Sequence, residues 1–139
     1  MLPRWHILYG AILTAVLWFL IPGIDYLYLA LFFLASFLID FDHYLKAVAR
    51  TKKIGLFNAL RYYRDKKHEF SRRKEMHIFH TIEFHVFVGL LGLTWIGFFY
   101  IFMGMIVHSL IDLISMASKD KVNTREYFFS KWLRQKLVG

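Results

Sequence analysis

The chain has 139 residues, of which 58% are hydrophobic and 19% aromatic, and it carries a net charge of +8 with no cysteine. This composition is too apolar for a soluble domain of this length and predicts that a bilayer forms part of the solvent. The lack of cysteine excludes disulfides, thiolate ligands and cysteine nucleophiles, so any bound metal is held by His, Asp or Glu. In a membrane protein a basic excess indicates topology and contact with anionic headgroups, and nucleic acid is not an expected partner.

Two apolar runs open the chain, at residues 5–21 and 24–40. Pro22 and Gly23 separate them, and this pair favours a tight turn. We therefore predict a transmembrane helical hairpin. The first run resembles a signal peptide, but no cleavage site of small residues follows it, so we expect it to be a retained span.

A third apolar stretch covers residues 84–117, about 50 Å as one helix against a hydrocarbon core of about 30 Å. One helix would overshoot the bilayer, so we place a break near residues 94–97 and predict spans at 79–94 and 97–117.

A cytoplasmic amphipathic loop at residues 44–78 and a cytoplasmic tail at 118–139 complete the predicted chain. Within them, residues 54–63 and 127–137 mix basic, aromatic and apolar side chains, which indicates two short interfacial helices. A solvated loop is the alternative interpretation of both segments.

The basic residues test this division, because Lys and Arg accumulate in cytoplasmic loops. Of the 18, one is Arg4, 11 lie within residues 46–74 and six lie within residues 119–136. Four spans with both termini inside place all of them in the cytoplasm, whereas three spans would export the last six. The predicted fold is all-α: a multi-pass protein of the cell membrane, a single integral domain over residues 1–139, with four transmembrane helices and short interfacial helices.

Ionisable side chains are costly inside a membrane and usually face a partner or a functional site. This chain carries them at the start of the first span, the end of the second, the start of the third and the second half of the fourth. They are His6; Asp40, Asp42 and His43; His77, His80, Glu83 and His85; and His108 and Asp112. The predicted topology brings all four groups to the cytoplasmic side at a similar depth.

Helical spacing indicates which of these side chains share a face, since residues three or four apart are neighbours. His108 and Asp112 are i, i+4, and His77, His80 and Glu83 are successive i, i+3 steps. Taken alone, the first pair could be a buried hydrogen-bonded pair, and the second set could stabilise the first turn of a helix.

The acidic cluster at the end of the second span can bind one ion only if the helix is irregular there. Asp40 and His43 are i, i+3, whereas Asp42 is turned about 160° from Asp40 on an ideal helix, so both acids reach one ion only if the helix frays there. Acids at this end oppose the helix dipole and require another cation. His85 points away from His80 by about 140° and is left out of the predicted site.

The convergence of imidazole and carboxylate groups on one face favours a shared metal site over these separate roles. Zinc suits these ligands best, with manganese, iron and magnesium as alternatives, and the number of acidic ligands allows one ion or two. The predicted ligands are His6, Asp40, Asp42, His43, His80, His108 and Asp112.

A divalent metal in such a site activates water and polarises a phosphoryl or carbonyl oxygen, which is hydrolytic chemistry. Asp40 or Glu83, where not a ligand, is the predicted general base. Arg72, Arg73 and Lys74 precede the third span and are candidates for phosphate binding, although topology alone explains a basic run there.

These residues resemble a known family, the membrane-bound metal-dependent hydrolases related to the LexA-regulated inner-membrane-associated hydrolase. That family has a histidine opening the first helix, Asp-x-Asp-His after the second, a histidine motif before the third and His-x-x-x-Asp in the last. The matching residues are His6, Asp40-Phe-Asp42-His43, His77 to Glu83 and His108-Ser-Leu-Ile-Asp112, which together cover most of residues 1–117.

The third motif departs from the family pattern. The family often has His-Arg followed by Thr-His-Ser, where this chain has His77-Ile-Phe-His80-Thr-Ile-Glu83. An acid therefore replaces the serine and the arginine is missing, which leaves His80 as the safest correspondence.

The resemblance implies a metal ion and the hydrolase class, and the family is distantly similar to zinc-dependent phospholipases C. The expected function is hydrolysis of a phosphoester, and a lipid substrate fits because the site lies at headgroup depth. Membrane lipids with anionic headgroups are the expected partners. Two rival interpretations are a metal-ion transporter or sensor, which predicts ionisable residues through the whole membrane depth, and a non-catalytic scaffold, which leaves the buried acids unexplained.

Overall fold

The computed structural model describes residues 3–65, 75–118 and 125–138. These residues are predominantly helical, which confirms the all-helical class. The helices are α1 (Pro3–Leu20), α2 (Tyr26–Leu38), α3 (Phe41–Thr51), α4 (Leu56–Asp65), α5 (Ile82–Leu91), α6 (Ile96–Ala117) and α7 (Phe129–Val138). A 3-10 helix covers Ile78–His80, and the two-residue strands β1 (Glu75–Met76) and β2 (Arg125–Glu126) pair in parallel.

Within the described residues, two helical stretches are long and apolar enough to cross a membrane. They are Tyr26–Thr51, which combines α2 and α3, and Ile96–Ala117. The apolar helices at Trp5–Leu20 and Ile82–Leu91 are shorter. The break predicted near residues 94–97 is confirmed by the start of α6, whereas the four-span arrangement stays a prediction.

The predicted turn between the first two helices is present. Gly23 has φ of +81°, a left-handed conformation that glycine adopts without steric cost. Asp25 then caps α2, since its carboxylate accepts a hydrogen bond from the Leu27 N–H at 2.8 Å. Local turn and cap signals therefore set the start of α2.

The third apolar segment differs from the span predicted at residues 79–94. The helix α5 has only 10 residues, about 15 Å of rise. It starts late because Thr81 is extended and its hydroxyl caps the helix, accepting from the Phe84 N–H at 3.4 Å. The prediction that His77, His80 and Glu83 share one helical face is therefore wrong.

The central contact of the fold is between α2 and α6. Gly104 permits close packing, because a Cβ at this position would overlap the Phe32 carbonyl oxygen. The helix α1 approaches α2 in the same way at Gly10, where a Cβ would overlap the Ser36 hydroxyl. His108, one turn after Gly104, consequently lies beside the Ser36 backbone.

Two backbone pairings connect the last described segment to the start of α5. The strands pair Met76 with Glu126, and the Ile82 N–H donates to the Tyr127 carbonyl at 2.9 Å. The segment that contains β2 is thereby held beside the start of α5.

The helix α3 begins at Phe41, before the predicted loop at 44–78, and extends into it, whereas α4 lies within the loop. The helices predicted at 54–63 and 127–137 are present as α4 and α7, with bounds shifted by about two residues, as is usual for helix ends. Their position at a membrane surface stays a prediction.

Candidate metal centre

A break between α2 and α3 aims two carboxylates at one histidine. The helix α2 ends at Leu38, and Asp40 lies in a turn before α3. The helix is thus interrupted at the place where Asp40 and Asp42 require it in order to reach one ion. Asp40 Oδ1 lies 3.5 Å from His80 Nε2, and Asp42 Oδ2 lies 3.4 Å from His80 Nδ1. The imidazole of His80 therefore lies between the two acids.

The innermost part of the site is a triangle of three ligand atoms from three segments. His80 Nε2 and His108 Nε2 are 3.2 Å apart, and Asp40 Oδ1 lies 3.5 Å from the first and 3.4 Å from the second. Asp112 lies one turn after His108, with Oδ2 at 3.9 Å from His108 Nε2. One atom from each of these four residues falls within 4.8 Å of all the others, so the group could hold a metal ion.

Hydrogen bonds outside the triangle orient its imidazoles. His108 Nδ1 lies 2.9 Å from the Ser36 carbonyl oxygen, and because a carbonyl can only accept, Nδ1 carries the proton. In the neutral ring the Nε2 lone pair then faces the triangle. Such a contact to the far nitrogen is typical of metal-binding histidines, and Asp42 provides the same kind of contact to His80.

A second group consists of Asp42, His43 and His77, which could also hold an ion by distance. His43 Nδ1 lies 2.8 Å from Asp42 Oδ1, and the two histidine rings stack with centroids 3.7 Å apart at 8°. Lone pairs of parallel rings lie in separate planes, so an ion in the plane of one ring is well outside the plane of the other. This group is geometrically poorer than the triangle.

His6 lies against the group and is fully buried. Its ring stacks on His108 with centroids 4.0 Å apart, and its Nε2 lies 3.2 Å from Asp112 Oδ1. The stacked rings again disfavour joint binding of one ion by His6 and His108. The structure therefore places the predicted ligand His6 beside Asp112, where it can position that carboxylate.

The structure does not bring Glu83 into the group, contrary to its predicted role as a base. Its carboxylate oxygens accept from the N–H groups of Phe129 and Ser130, both at 3.0 Å, and from the Ser130 hydroxyl at 2.8 Å. Glu83 thus caps α7. His85, left out of the predicted site, donates from Nδ1 to the Thr81 carbonyl and accepts from the Ser109 hydroxyl at Nε2.

Arg125 is a site residue that sequence reasoning missed. Its Nη2 donates to Asp112 Oδ2 at 2.9 Å, which pairs the guanidinium with the candidate ligand. The sequence contained no signal for this contact, because topology already explained every basic residue of the tail. The predicted phosphate-binding residues Arg72, Arg73 and Lys74 lie outside the described residues.

The described fold and site define a small all-helical protein with a buried group of histidines and aspartates that could hold a metal ion. A scan of protein-family models, a search of curated proteins and a search of solved structures each returned no match for the chain. The family resemblance stated from the sequence therefore stays a prediction.

Proposed function

We propose that the protein is a four-span membrane hydrolase of a lipid phosphoester, with a divalent metal ion held by Asp40, His80, His108 and Asp112. The observation that carries the proposal is the triangle of Asp40 Oδ1, His80 Nε2 and His108 Nε2, whose sides are 3.2, 3.4 and 3.5 Å. Ligand atoms of a tetrahedral site with bonds of about 2.0–2.1 Å lie about 3.3–3.4 Å apart. The spacing of the three atoms thus matches one face of such a site.

Zinc fits this mixture of imidazole and carboxylate best, and manganese, iron or magnesium are alternatives. A divalent ion bound there would acidify water and polarise a phosphoryl oxygen. The ion would engage only Oδ1 of Asp40, so the other carboxylate oxygen, Oδ2, is our candidate general base. The stacking of His6 on His108 and the contact of Asp42 with His80 hold the imidazoles in place.

The membrane setting is supported by two stretches long enough to span a bilayer, at Tyr26–Thr51 and Ile96–Ala117, and by the shorter apolar helices α1 and α5. We place both termini and all Lys and Arg residues in the cytoplasm, in accordance with the bias of basic residues. The candidate ligands then lie in the cytoplasmic half of the membrane, and His108 lies nine residues, about 13 Å, before the end of α6. A site inside the bilayer supports a lipid substrate.

Elemental analysis of the purified protein tests the metal. We expect stoichiometric zinc or manganese in the wild type, and its loss in His108→Ala and Asp112→Asn. His85→Ala is the matched control for metal content, since His85 is a buried histidine with both nitrogens engaged outside the group. Absence of metal from the wild type after zinc or manganese supplementation would overturn the proposal.

Hydrolysis is tested separately on the metal-loaded protein, with phosphatidic acid in mixed micelles and a water-soluble aryl phosphate as substrates. The proposal predicts phosphate release that disappears in His108→Ala. Bound metal without hydrolysis of any phosphoester would refute the enzyme and favour a metal transporter or sensor.

A further inference from the structure

A groove of about 610 Å³ runs between α5 and α6 and reaches the candidate metal group, because His80 lines it. The two helices are antiparallel: His85 Nε2 lies 3.0 Å from Ser109 Oγ, while Gly89 faces Phe102. The volume lies within the range of about 300–1,000 Å³ that is usual for small-molecule sites.

The two ends of this groove differ in polarity. Beyond the pair of His85 and Ser109 the lining is apolar, and it consists of Val86, Gly89, Leu90, Phe99, Phe102 and Ile106. From Ser109 to Phe99 the groove extends about 15 Å along α6, which is half of a hydrocarbon core of about 30 Å. The apolar part therefore has about the length of one acyl chain.

The other end of the groove adds the polar groups of Arg125 and Tyr127 to apolar side chains, which are Ile82, Leu110, Leu113 and Met116. Arg125 has five N–H donors on a planar guanidinium, and its hydrogen bond to Asp112 engages Nη2. Such a guanidinium can hold a phosphate while it stays paired with a carboxylate. Burial raises the pKa of the Tyr127 phenol, so this group stays neutral beside an anion.

We infer that this groove binds one acyl chain of a phospholipid and that Arg125 binds its phosphate. The inference names a lipid-binding site for the proposed hydrolase. It rests on the proposed function only where the bound lipid is taken as the substrate. Val86 and Leu90 are 53% and 58% exposed, so the apolar part is open along its side and a chain can enter laterally from the bilayer. A water-soluble phosphoester would leave this part unused.

A second groove provides a matched control. It has about 470 Å³ between α1 and α2, and Ala15 is one of its lining residues. Its described lining contains no charged side chain and none of the candidate ligands. It therefore has an apolar body without a site for a headgroup.

The test is lipid binding by the full-length protein, measured by native mass spectrometry from detergent. Phosphatidic acid is the probe, and diacylglycerol, which lacks the phosphate, is compared with it. The variants Gly89→Leu and Val86→Trp fill the apolar part, Arg125→Gln removes the phosphate donor, and Ala15→Leu fills the second groove. Thermal unfolding of each variant in detergent serves as the check of folding.

We expect the wild type and Ala15→Leu to bind one phosphatidic acid more tightly than diacylglycerol. Both groove-filling variants should weaken binding about tenfold or more, and Arg125→Gln should remove the preference for the phosphate. Unchanged binding in Gly89→Leu and Val86→Trp would overturn the acyl-chain site, and an unchanged preference in Arg125→Gln would overturn the phosphate contact. Binding as expected without any hydrolysis would refute the proposed enzyme and leave the lipid site standing.

Discussion

Gly104→Ala is expected to damage the metal group without touching any of its residues. A Cβ at Gly104 would overlap the Phe32 carbonyl oxygen and lie 2.9 Å from Ala35 Cβ. Both contacts belong to α2, and one is with the backbone, which cannot rotate away. The helices α2 and α6 must therefore move apart.

The size of this movement follows from the contact distances. Carbon atoms pack best at about 3.5–4.0 Å, so the 2.9 Å contact requires a separation larger by about 0.6–1 Å. One turn away, His108 Nδ1 lies 2.9 Å from the Ser36 carbonyl oxygen of α2. The same displacement stretches this hydrogen bond beyond its usual limit of about 3.2 Å. We expect a loss of about 1–3 kcal/mol in stability and a fall of about 10- to 100-fold in metal affinity.

Thermal unfolding in detergent and titration of the apo-protein with zinc measure these two effects. Gly89→Ala is the matched control, because the nearest atoms to its Cβ would be those of the Phe102 ring, at 3.4 Å or more. This control should keep both stability and zinc affinity. Wild-type zinc affinity in Gly104→Ala would refute the argument that α2 positions His108 through Ser36.

Two further predictions separate residues that position the group from its ligands. His6→Ala should lower zinc affinity about 10- to 100-fold in calorimetric titration, because His6 contacts Asp112; complete loss of binding would instead make His6 a ligand. Glu83→Gln should raise amide hydrogen exchange at Phe129 and Ser130 about fivefold through loss of a charged cap. The metal content of Glu83→Gln should stay at the wild-type level, and a loss of metal would mean that Glu83 belongs to the metal site.

The convergence of Asp40, His80, His108 and Asp112 could be predicted because it depends on coarse features. Apolar runs located the helices, and the predicted alternation of their direction through a bilayer placed their polar ends on one side. Asp40 and Asp42 can reach one ion only if the helix frays between them, and the structure contains a break at Asp40. These four residues could be grouped without knowing how the loops pack.

Glu83 and Arg125 could not be placed in this way. The position of Glu83 depends on Thr81, whose extended backbone separates the histidines from α5, and spacing arguments assume a continuous helix. Arg125 reaches Asp112 through a pairing of two-residue strands, which are too short to show an alternating pattern. The helix α3 was missed because its charged residues suggested a loop.

A count of charges around the group supports the proposed divalent ion. Asp40 and Asp112 of the group, and Asp42 beside it, carry three negative charges, and Arg125 provides one positive charge at Asp112. Protonating both His80 and His108 would supply the remaining two, but it would place two N–H groups against each other across 3.2 Å. A divalent cation instead supplies both charges at the point where three acceptor atoms meet. Buried carboxylates need a compensating positive charge. The arrangement that disfavours a second proton between His80 and His108 therefore favours a metal ion.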